Sequence, residues 1–485
     1  MPPPTSQAPP GERALERRKK REAAPFRSAA PLRVLVLAAA DALALALAAI
    51  LAYLLWAGPV RNQDASQYLP LLLGLPLFLF GYYQADLYPG FGLGPVETLR
   101  RYWLVTAGAF IAVAAVTFAL KVPQIYSRVT FGLTFAFGLL LLPLVRRAAL
   151  ALVRGRSWWP EPVVLAGTAE GTVRIRDVLQ RMPELGFRPV GMLLAGSPER
   201  GWGESVLGTL DDAPQVAALG VRVVLMDRDL DSYDRLDWLR RFFPRVIVLR
   251  DYEDLPVEGV QVRNLGGLLG LEYGNNLLRP YARWVKRAVD LVVGGLALLL
   301  ALPVIAAALV LVRLSGPGPL LYWQVREGRF GKPFSVPKIR TMVPDAEKRL
   351  QEHFEQNAAL RTEWEAGYKL RADPRLIPGL GRWLRRFSID ELPQLWSVVK
   401  GEMSLVGPRP FPHYHLQAIS ARSLDLRRQV RPGLTGVWQV VARGVADVQA
   451  QEAYDSHYIR NWSLWLDLHI LGKTVAAVLS GRGAY

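Results

Sequence analysis

The strongest constraint on this chain is a set of long apolar runs bordered by arginine. Four lie in the first 150 residues, at about 33–57, 68–88, 102–121 and 128–150, and a fifth lies at about 288–312. Roughly 20 apolar residues are needed for a helix to cross a bilayer's hydrocarbon, and each run is long enough. Lys and Arg outnumber Asp and Glu by 59 to 42 in 485 residues. That balance fits either nucleic acid or an anionic membrane as partner. The clustering of apolar residues between arginines selects the lipid bilayer and excludes nucleic acid. The chain has no cysteine, which excludes disulfides, thiolate catalysis and cysteine metal sites.

Residues 1–30 are Pro-rich and basic (RALERRKKR) and read as a disordered tail lying on anionic headgroups. No small-residue cleavage pattern follows the first run, so the start is not read as a removed signal peptide. Residues 31–155 read as four transmembrane helices. Arg100 and Arg101 precede the third run, and Arg146, Arg147, Arg154 and Arg156 follow the fourth. The loop between the first two runs carries only Arg61 and Asp64. Positive charge stays on the cytoplasmic side, which puts the N-terminus and everything after residue 150 there. Lys121 and Arg128 fit that orientation less well. Asp41 falls inside the first span, where a carboxylate is a functional candidate by default. The preferred reading is a partnered residue facing the bundle interior.

Across residues 160–272, short apolar runs (PVVLAG, RPVGMLLAG, VRVVLMD, RVIVLRD) alternate with amphipathic stretches. That alternation predicts a parallel, Rossmann-like α/β domain. Its first turn reads GTAEGT from Gly167, with Ala169 and Thr172 where a dinucleotide fingerprint has its second and third glycines. A structural or regulatory module is expected rather than a working nucleotide site.

The fifth run is preceded by Arg283, Lys286 and Arg287 and followed by Arg313, Arg326, Arg329 and Lys332. Positive charge on both flanks puts both ends on one side. Pro303, near the middle, removes a helix hydrogen bond. Residues 280–314 are therefore read as a re-entrant membrane helix that enters and leaves by one face. Residues 315–485 then form a mostly α cytoplasmic domain.

Within it, residues 387–410 read FSIDELPQLWSVVKGEMSLVGPRP. Ser388 to Glu391 has the spacing of a capping box, with Phe387 and Leu392 as its hydrophobic staple. Phosphate-binding candidates surround the acidic pair. Lys338 and Arg340 alternate on a predicted strand and so face the same way. Arg385 and Arg386 precede the pair, and Arg409 is held between two prolines. A guanidinium suits phosphate oxygens. Adjacent carboxylates suit Mg²⁺ shared with substrate phosphates, and an Asp among cations can attack phosphorus.

KIRTM-x-x-DAE, LRRFSIDELPQLWSVVKGEMSLVGPRP and RPGLTGVWQV closely resemble the monotopic phosphoglycosyl transferases, the bacterial sugar transferase family. The architecture resembles the long form of that family, typified by undecaprenyl-phosphate galactose phosphotransferases. The resemblance implies a bacterial inner-membrane enzyme, with its catalytic domain on the cytoplasmic face and a homodimeric assembly. It would move sugar 1-phosphate, galactose 1-phosphate in the first instance, from a UDP-sugar to undecaprenyl phosphate with Mg²⁺, releasing UMP. That would be the first membrane step of O-antigen or exopolysaccharide synthesis. Carried over by position, Asp390 is the nucleophile, and Glu391 holds Mg²⁺ or positions the dyad. Lys338, Arg340, Arg385 and Arg409 bind phosphates, and Trp396, Trp438, Trp462 and Trp465 are candidate interfacial anchors. Leu302 stands where the family often has Ser before the hairpin proline, Pro303. Stretches at 275–287 and 363–375 resemble the galactose branch more than the glucose branch, a glucose transferase being the alternative. His413 and His415 read as surface residues, and Asp345 and Glu347 as helix-start charges. Asp455, Tyr458 and Asp467 are open between substrate and structural roles. An oxidoreductase built on the α/β domain and a non-catalytic scaffold are the competing functions; the broken glycine pattern opposes the first and the acidic pair among arginines opposes the second.

Overall fold

The computed structural model describes residues 29–119, 127–196, 206–227, 233–249, 261–265, 268–272, 280–356, 370, 373–411, 416, 419–441 and 448–480. The basic tail before residue 29, Lys121, residues 363–364, His413 and His415 lie outside them. The chain forms two compact units, residues 1–251 and 252–485.

The first unit opens with α1 (Ala30–Ala52), continued by a π-helical turn to Ala57, and later has α3 (Pro95–Ala119) and α4 (Arg128–Val153). All three are long and apolar enough to cross a membrane. The second predicted span departs from expectation: it is a 3₁₀ stretch, Ala65–Gly74, followed by the ten-residue α2 (Leu75–Gln84). Pro76 stands in the first turn of α2, where its missing N–H costs no helix bond.

Asp41 is fully buried in this bundle. It accepts hydrogen bonds from Tyr88 (2.8 Å) and Tyr102 (2.7 Å) and pairs with Arg146 at 3.5 Å. Arg146 also donates to the Leu87 carbonyl. These are the partners that a charge needs away from water. Near the start of α1, buried Arg33 donates to the Trp158 and Pro160 carbonyls and pairs with Glu161. The start of α1 and the end of α4 are thus at one end of the bundle.

Glu161 begins β1 (Glu161–Gly167), which is followed by α5 (Ala169–Arg181), β2 (Phe187–Leu194) and β3 (Val206–Thr209). The unit closes with α6 (Ala213–Ala218), β4 (Val223–Asp227), α7 (Tyr233–Arg240) and β5 (Arg245–Leu249). The five strands are parallel in order β3-β2-β1-β4-β5, a doubly wound sheet that reverses between β1 and β4. Alternate residues of β1 face opposite layers. Val163 and Leu165 pack with Ile175 and Leu179 of α5, while Val164 and Ala166 pack with Val216 of α6 and Leu239 of α7.

The second unit begins with the antiparallel pair β6 (Gln261–Leu265) and β7 (Leu268–Glu272). Next is α8 (Pro280–Leu314), 35 residues with Pro303 inside it, or about 52 Å at 1.5 Å per residue. The hairpin β8 (Leu321–Glu327) and β9 (Pro333–Ile339) leads to α9 (Ala346–Gln356) and α10 (Leu380–Arg386). A 3₁₀ turn, Ile389–Gln394, runs into α11 (Leu395–Lys400). Then come β10 (Ser404–Val406) and α12 (Ala421–Arg428), with β11 (Gly433–Thr435) pairing in parallel with β10. Helices α13 (Val437–Val441), α14 (Val448–Arg460) and α15 (Leu464–Ser480) finish the chain.

Both ends of α8 are fastened within this unit. Near its start, Lys286 donates to Asp467 (2.6 Å) and the Val406 carbonyl (3.0 Å), and Arg287 donates to the Val398 and Val399 carbonyls. Near its end, Ala308 and Val312 pack with Ile339, Ile377, Leu384 and Ile389. Between these attachments Leu296, Leu299, Leu300 and Leu302 are exposed, an apolar surface that requires lipid or protein cover.

Candidate active site

The site starts from an unusual backbone. Ser388 adopts φ 54°, ψ 27°, the left-handed region, and its side chain makes no cap hydrogen bond. An N-cap serine needs an extended backbone to turn its hydroxyl onto the helix, so the predicted capping box does not form. The Ser388 N–H donates instead to the Arg385 carbonyl (3.0 Å). The staple residues still pack: Phe387 and Leu392 join the cluster around Leu384 and Ile389. A non-glycine residue in this conformation costs about 1–3 kcal/mol and typically marks a functional turn. Here it swings the chain from α10 into the 3₁₀ turn that carries Asp390.

Asp390 is buried, at 8% exposure. Burial, then the charge of Glu391, push its carboxyl up to about 6, against the pull of Lys338 and Arg385. Glu391 accepts from Lys338 Nζ at 2.8 Å and lies 3.5 Å from Arg409 Nη2. Lys338 comes from the end of β9, whose neighbours Val336 and Ile339 are buried and fix the strand. Arg409 is 39% exposed, a cation available to a ligand.

Arg385 donates to Thr341 Oγ1 at 3.0 Å and lies 3.9 Å from Asp373 Oδ2. Burial lowers its pKa, while the charges of Asp390 and Asp373 raise it. Asp373 is itself braced by Arg375, which donates through both Nε and Nη2 at 2.8 Å. Burial pushes Asp373 up, but the bonds from Arg375 outweigh it and the net shift is downward. Thr341 and Asp373 were not singled out from the sequence as site residues. Their signal is the RT of KIRTM and the DPR triplet, polar residues beside the cationic segment.

Arg340 departs from the sequence expectation. Arg340 directly follows β9, which ends at Ile339. Its buried guanidinium donates to the carbonyls of Val312 (3.4 Å), Gly316 (3.1 Å) and Pro317 at the end of α8. Helix-end carbonyls lack intrahelical donors, and Arg340 supplies them. Lys338, Arg385 and Arg409 are therefore the cations grouped around Asp390 and Glu391.

Behind Arg409, Arg427 donates to the Arg409 carbonyl, pairs with buried Asp455 and lies over the Phe411 ring at 4.3 Å. Tyr458 donates to Asp467 (2.8 Å) and to the Val406 carbonyl (2.9 Å), and Trp462 Nε1 donates to Asp467 (3.2 Å). Asp455, Tyr458 and Asp467 are thus bound into internal networks. Trp438 and Trp462 are buried and Trp396 is exposed; exposed Trp284, Trp323 and Trp383 were not singled out from the sequence.

Among the described residues, no group of three His, Cys, Asp or Glu side chains could enclose a metal. The Asp390–Glu391 pair fits Mg²⁺ in a different way, since that ion takes one or two carboxylates and completes its shell with water and phosphate. The rise in Asp390 caused by Glu391 marks negative charge that a cation would relieve.

In the first unit, Asp227 at the end of β4 sits over the start of α5. Thr168 Oγ1 donates to Asp227 Oδ2 at 3.1 Å, and a Cβ on Gly171 would lie 1.7 Å from the same oxygen. A carboxylate rests where a doubly wound fold receives a pyrophosphate, which explains why a strict glycine fingerprint is not needed.

Residues 281–481 match the family described as Bacterial sugar transferase. An uncharacterized sugar transferase of Haemophilus influenzae is 33% identical over 75% of this chain and 79% of its own length. The chain belongs to the bacterial sugar transferase family. Within that family it is 31% identical to the undecaprenyl-phosphate galactose phosphotransferase of Salmonella typhimurium, over 74% of this chain and 77% of that one. It is 28% identical to the UDP-glucose:undecaprenyl-phosphate glucose-1-phosphate transferase of Escherichia coli, over 72% and 74%. The family match covers all of α8 except its first residue, together with the Asp390 turn and Arg409.

Proposed function

We propose that this sugar transferase moves galactose 1-phosphate from UDP-galactose to undecaprenyl phosphate through a covalent Asp390 intermediate. The observation that carries the proposal is the buried Asp390 carboxylate beside Lys338 and Arg385, with Glu391 already paired to Lys338. An Asp390 oxygen attacks the β-phosphorus, and the bond from that phosphorus to the bridging oxygen breaks. UMP departs with the electron pair, leaving a sugar phosphoryl group on Asp390. A phosphate oxygen of undecaprenyl phosphate attacks the same phosphorus and the Asp390 O–P bond breaks. The lipid diphosphosugar leaves and the carboxylate is restored. Arg409 and Arg385 meet the charge on the phosphate oxygens. Asp390 and Glu391 would hold Mg²⁺, which supplies positive charge to the diphosphate when bound.

The acceptor's phosphate lies at the headgroup plane, so the nucleophile must be held at that depth. The two attachments of α8 to one unit support a re-entrant helix, because a spanning helix would require that unit to reach both faces of the bilayer. Exposed Trp284, Trp323, Trp383 and Trp396 suit an interface. Positive flanks favour the cytoplasmic face, where UDP-sugars are made. Similarity to a galactose phosphotransferase favours galactose, and glucose 1-phosphate is the second reading because of the glucose-1-phosphate relative.

The test is UMP release from UDP-galactose and UDP-glucose, with and without undecaprenyl phosphate and Mg²⁺. Preference for UDP-galactose and a hexose-phosphate mass on the Asp390 peptide, trapped without acceptor, are expected. No turnover with any UDP-sugar would overturn the reading.

A further inference from the structure

The membrane bundle of the first unit contains a cavity of about 150 Å³ between α1, the 3₁₀–α2 stretch, α3 and α4. Leu45, Phe78, Phe110 and Phe131 give it apolar walls. Apolar cavities of about this size stay dry and accept apolar guests. Thr130 also lines it, is 98% buried by its 2% exposure, and its Oγ1 meets no hydrogen-bond partner among the described residues. A buried hydroxyl without a partner costs about 1–3 kcal/mol. The cavity therefore offers an apolar body with a buried, unpartnered hydroxyl in its lining.

We infer that this cavity binds a glycerophospholipid, one acyl chain filling the apolar space and an ester carbonyl accepting from Thr130. The bilayer supplies this ligand directly to a bundle whose outer helices face it. Location selects it over the polyprenyl substrate. Thr130 and Arg146 lie 16 residues apart on α4, about 24 Å along the axis. Arg146 marks the end where α4 leads into the α/β sheet. In the orientation that the positive flanks favour, Thr130 therefore sits toward the outer leaflet, whereas the carrier's phosphate is met at the cytoplasmic face. Ser127 Oγ caps α4 by accepting from the Thr130 N–H, whereas the buried Thr130 hydroxyl meets no partner among the described residues and is the group assigned to the lipid.

The experiment is native mass spectrometry of the full chain released from nanodiscs of phosphatidylethanolamine and phosphatidylglycerol, with undecaprenyl phosphate added in a second arm. The wild type is expected to retain one phospholipid. Ala46→Phe, which fills the cavity, is expected to lose it at least tenfold. Thr130→Val, nearly isosteric, is expected to weaken retention severalfold. UMP release by both variants should stay at the wild-type level, and it serves as the folding check. If Ala46→Phe does not fold, the Thr130→Val comparison alone decides. Equal retention by wild type and Thr130→Val would overturn the inference. Displacement of the phospholipid by undecaprenyl phosphate would also overturn it and assign the cavity to the carrier.

Discussion

Lys338 Nζ donates to Glu391 Oε1 at 2.8 Å, so the second of two adjacent carboxylates is countered while the first stays buried and titrates near 6. One backbone turn thus presents two acids in different surroundings. Glu391 is fixed by cations, and Asp390 is a carboxylate at neutral pH whose charge the fold stabilises poorly. A group in that state gains by bonding to an electrophile.

Asp390→Asn is expected to abolish UMP release and to stabilise the fold at alkaline pH. The folded pKa of about 6 lies above the ordinary 3.8. Asp390 therefore favours the fold fully below pH 3.8, and that contribution is lost as pH rises through 6. The difference is on the order of 3 kcal/mol. Thermal unfolding should show Asn ahead of wild type at pH 8 and level with it near pH 4. A lower melting temperature at pH 8 would contradict this account.

The pH profile of kcat/KM for UMP release should fall on its acid side with an inflection near 6, because attack requires the carboxylate. Glu391→Gln removes the neighbouring charge that raises Asp390 and should move the inflection to lower pH, at reduced activity. An unmoved inflection would separate Asp390 from the acid limb.

Arg340→Gln should lower thermal stability, since the carbonyls ending α8 lose their donor. The KM for the UDP-sugar should stay within about twofold, a change under about 0.5 kcal/mol. Lys338→Met should instead cost at least about tenfold in kcat/KM, or about 1.4 kcal/mol. A large KM effect for Arg340→Gln would return it to the phosphate site.

Arg427→Met should destabilise by about 3–5 kcal/mol, because it strands buried Asp455 without its partner. Burial already pushes Asp455 up to about 6 against the pull of Arg427. The Arg427→Met, Asp455→Leu pair should recover part of that loss in thermal unfolding. Activity should recover less, because Arg427 also holds the Arg409 carbonyl.

The apolar runs and the β-α alternation were legible because burial imposes periods that a sequence displays. The motifs also pointed to Lys338, Arg385, Asp390, Glu391 and Arg409, which the fold groups together. Ser388 was misread because Ser-x-x-Glu spacing carries no record of φ, and the turn is left-handed there. Arg340 was expected to share the site with Lys338, and only the fold shows its guanidinium held by carbonyls at the end of α8. Thr341 and Asp373 are 32 positions apart, and only the fold brings both to Arg385.

The pairing of Arg33 with Glu161 joins the first turn of the membrane bundle to the first residue of the sheet. A version of this protein cut to begin at Trp158, just ahead of the sheet, would expose the Trp158 and Pro160 carbonyls along with Glu161, all three groups having lost their donor. Bundle and sheet are therefore not interchangeable parts. A chimera that takes its sheet from one relative and its bundle from another must carry both ends of this contact, or its sheet will start from a frayed edge.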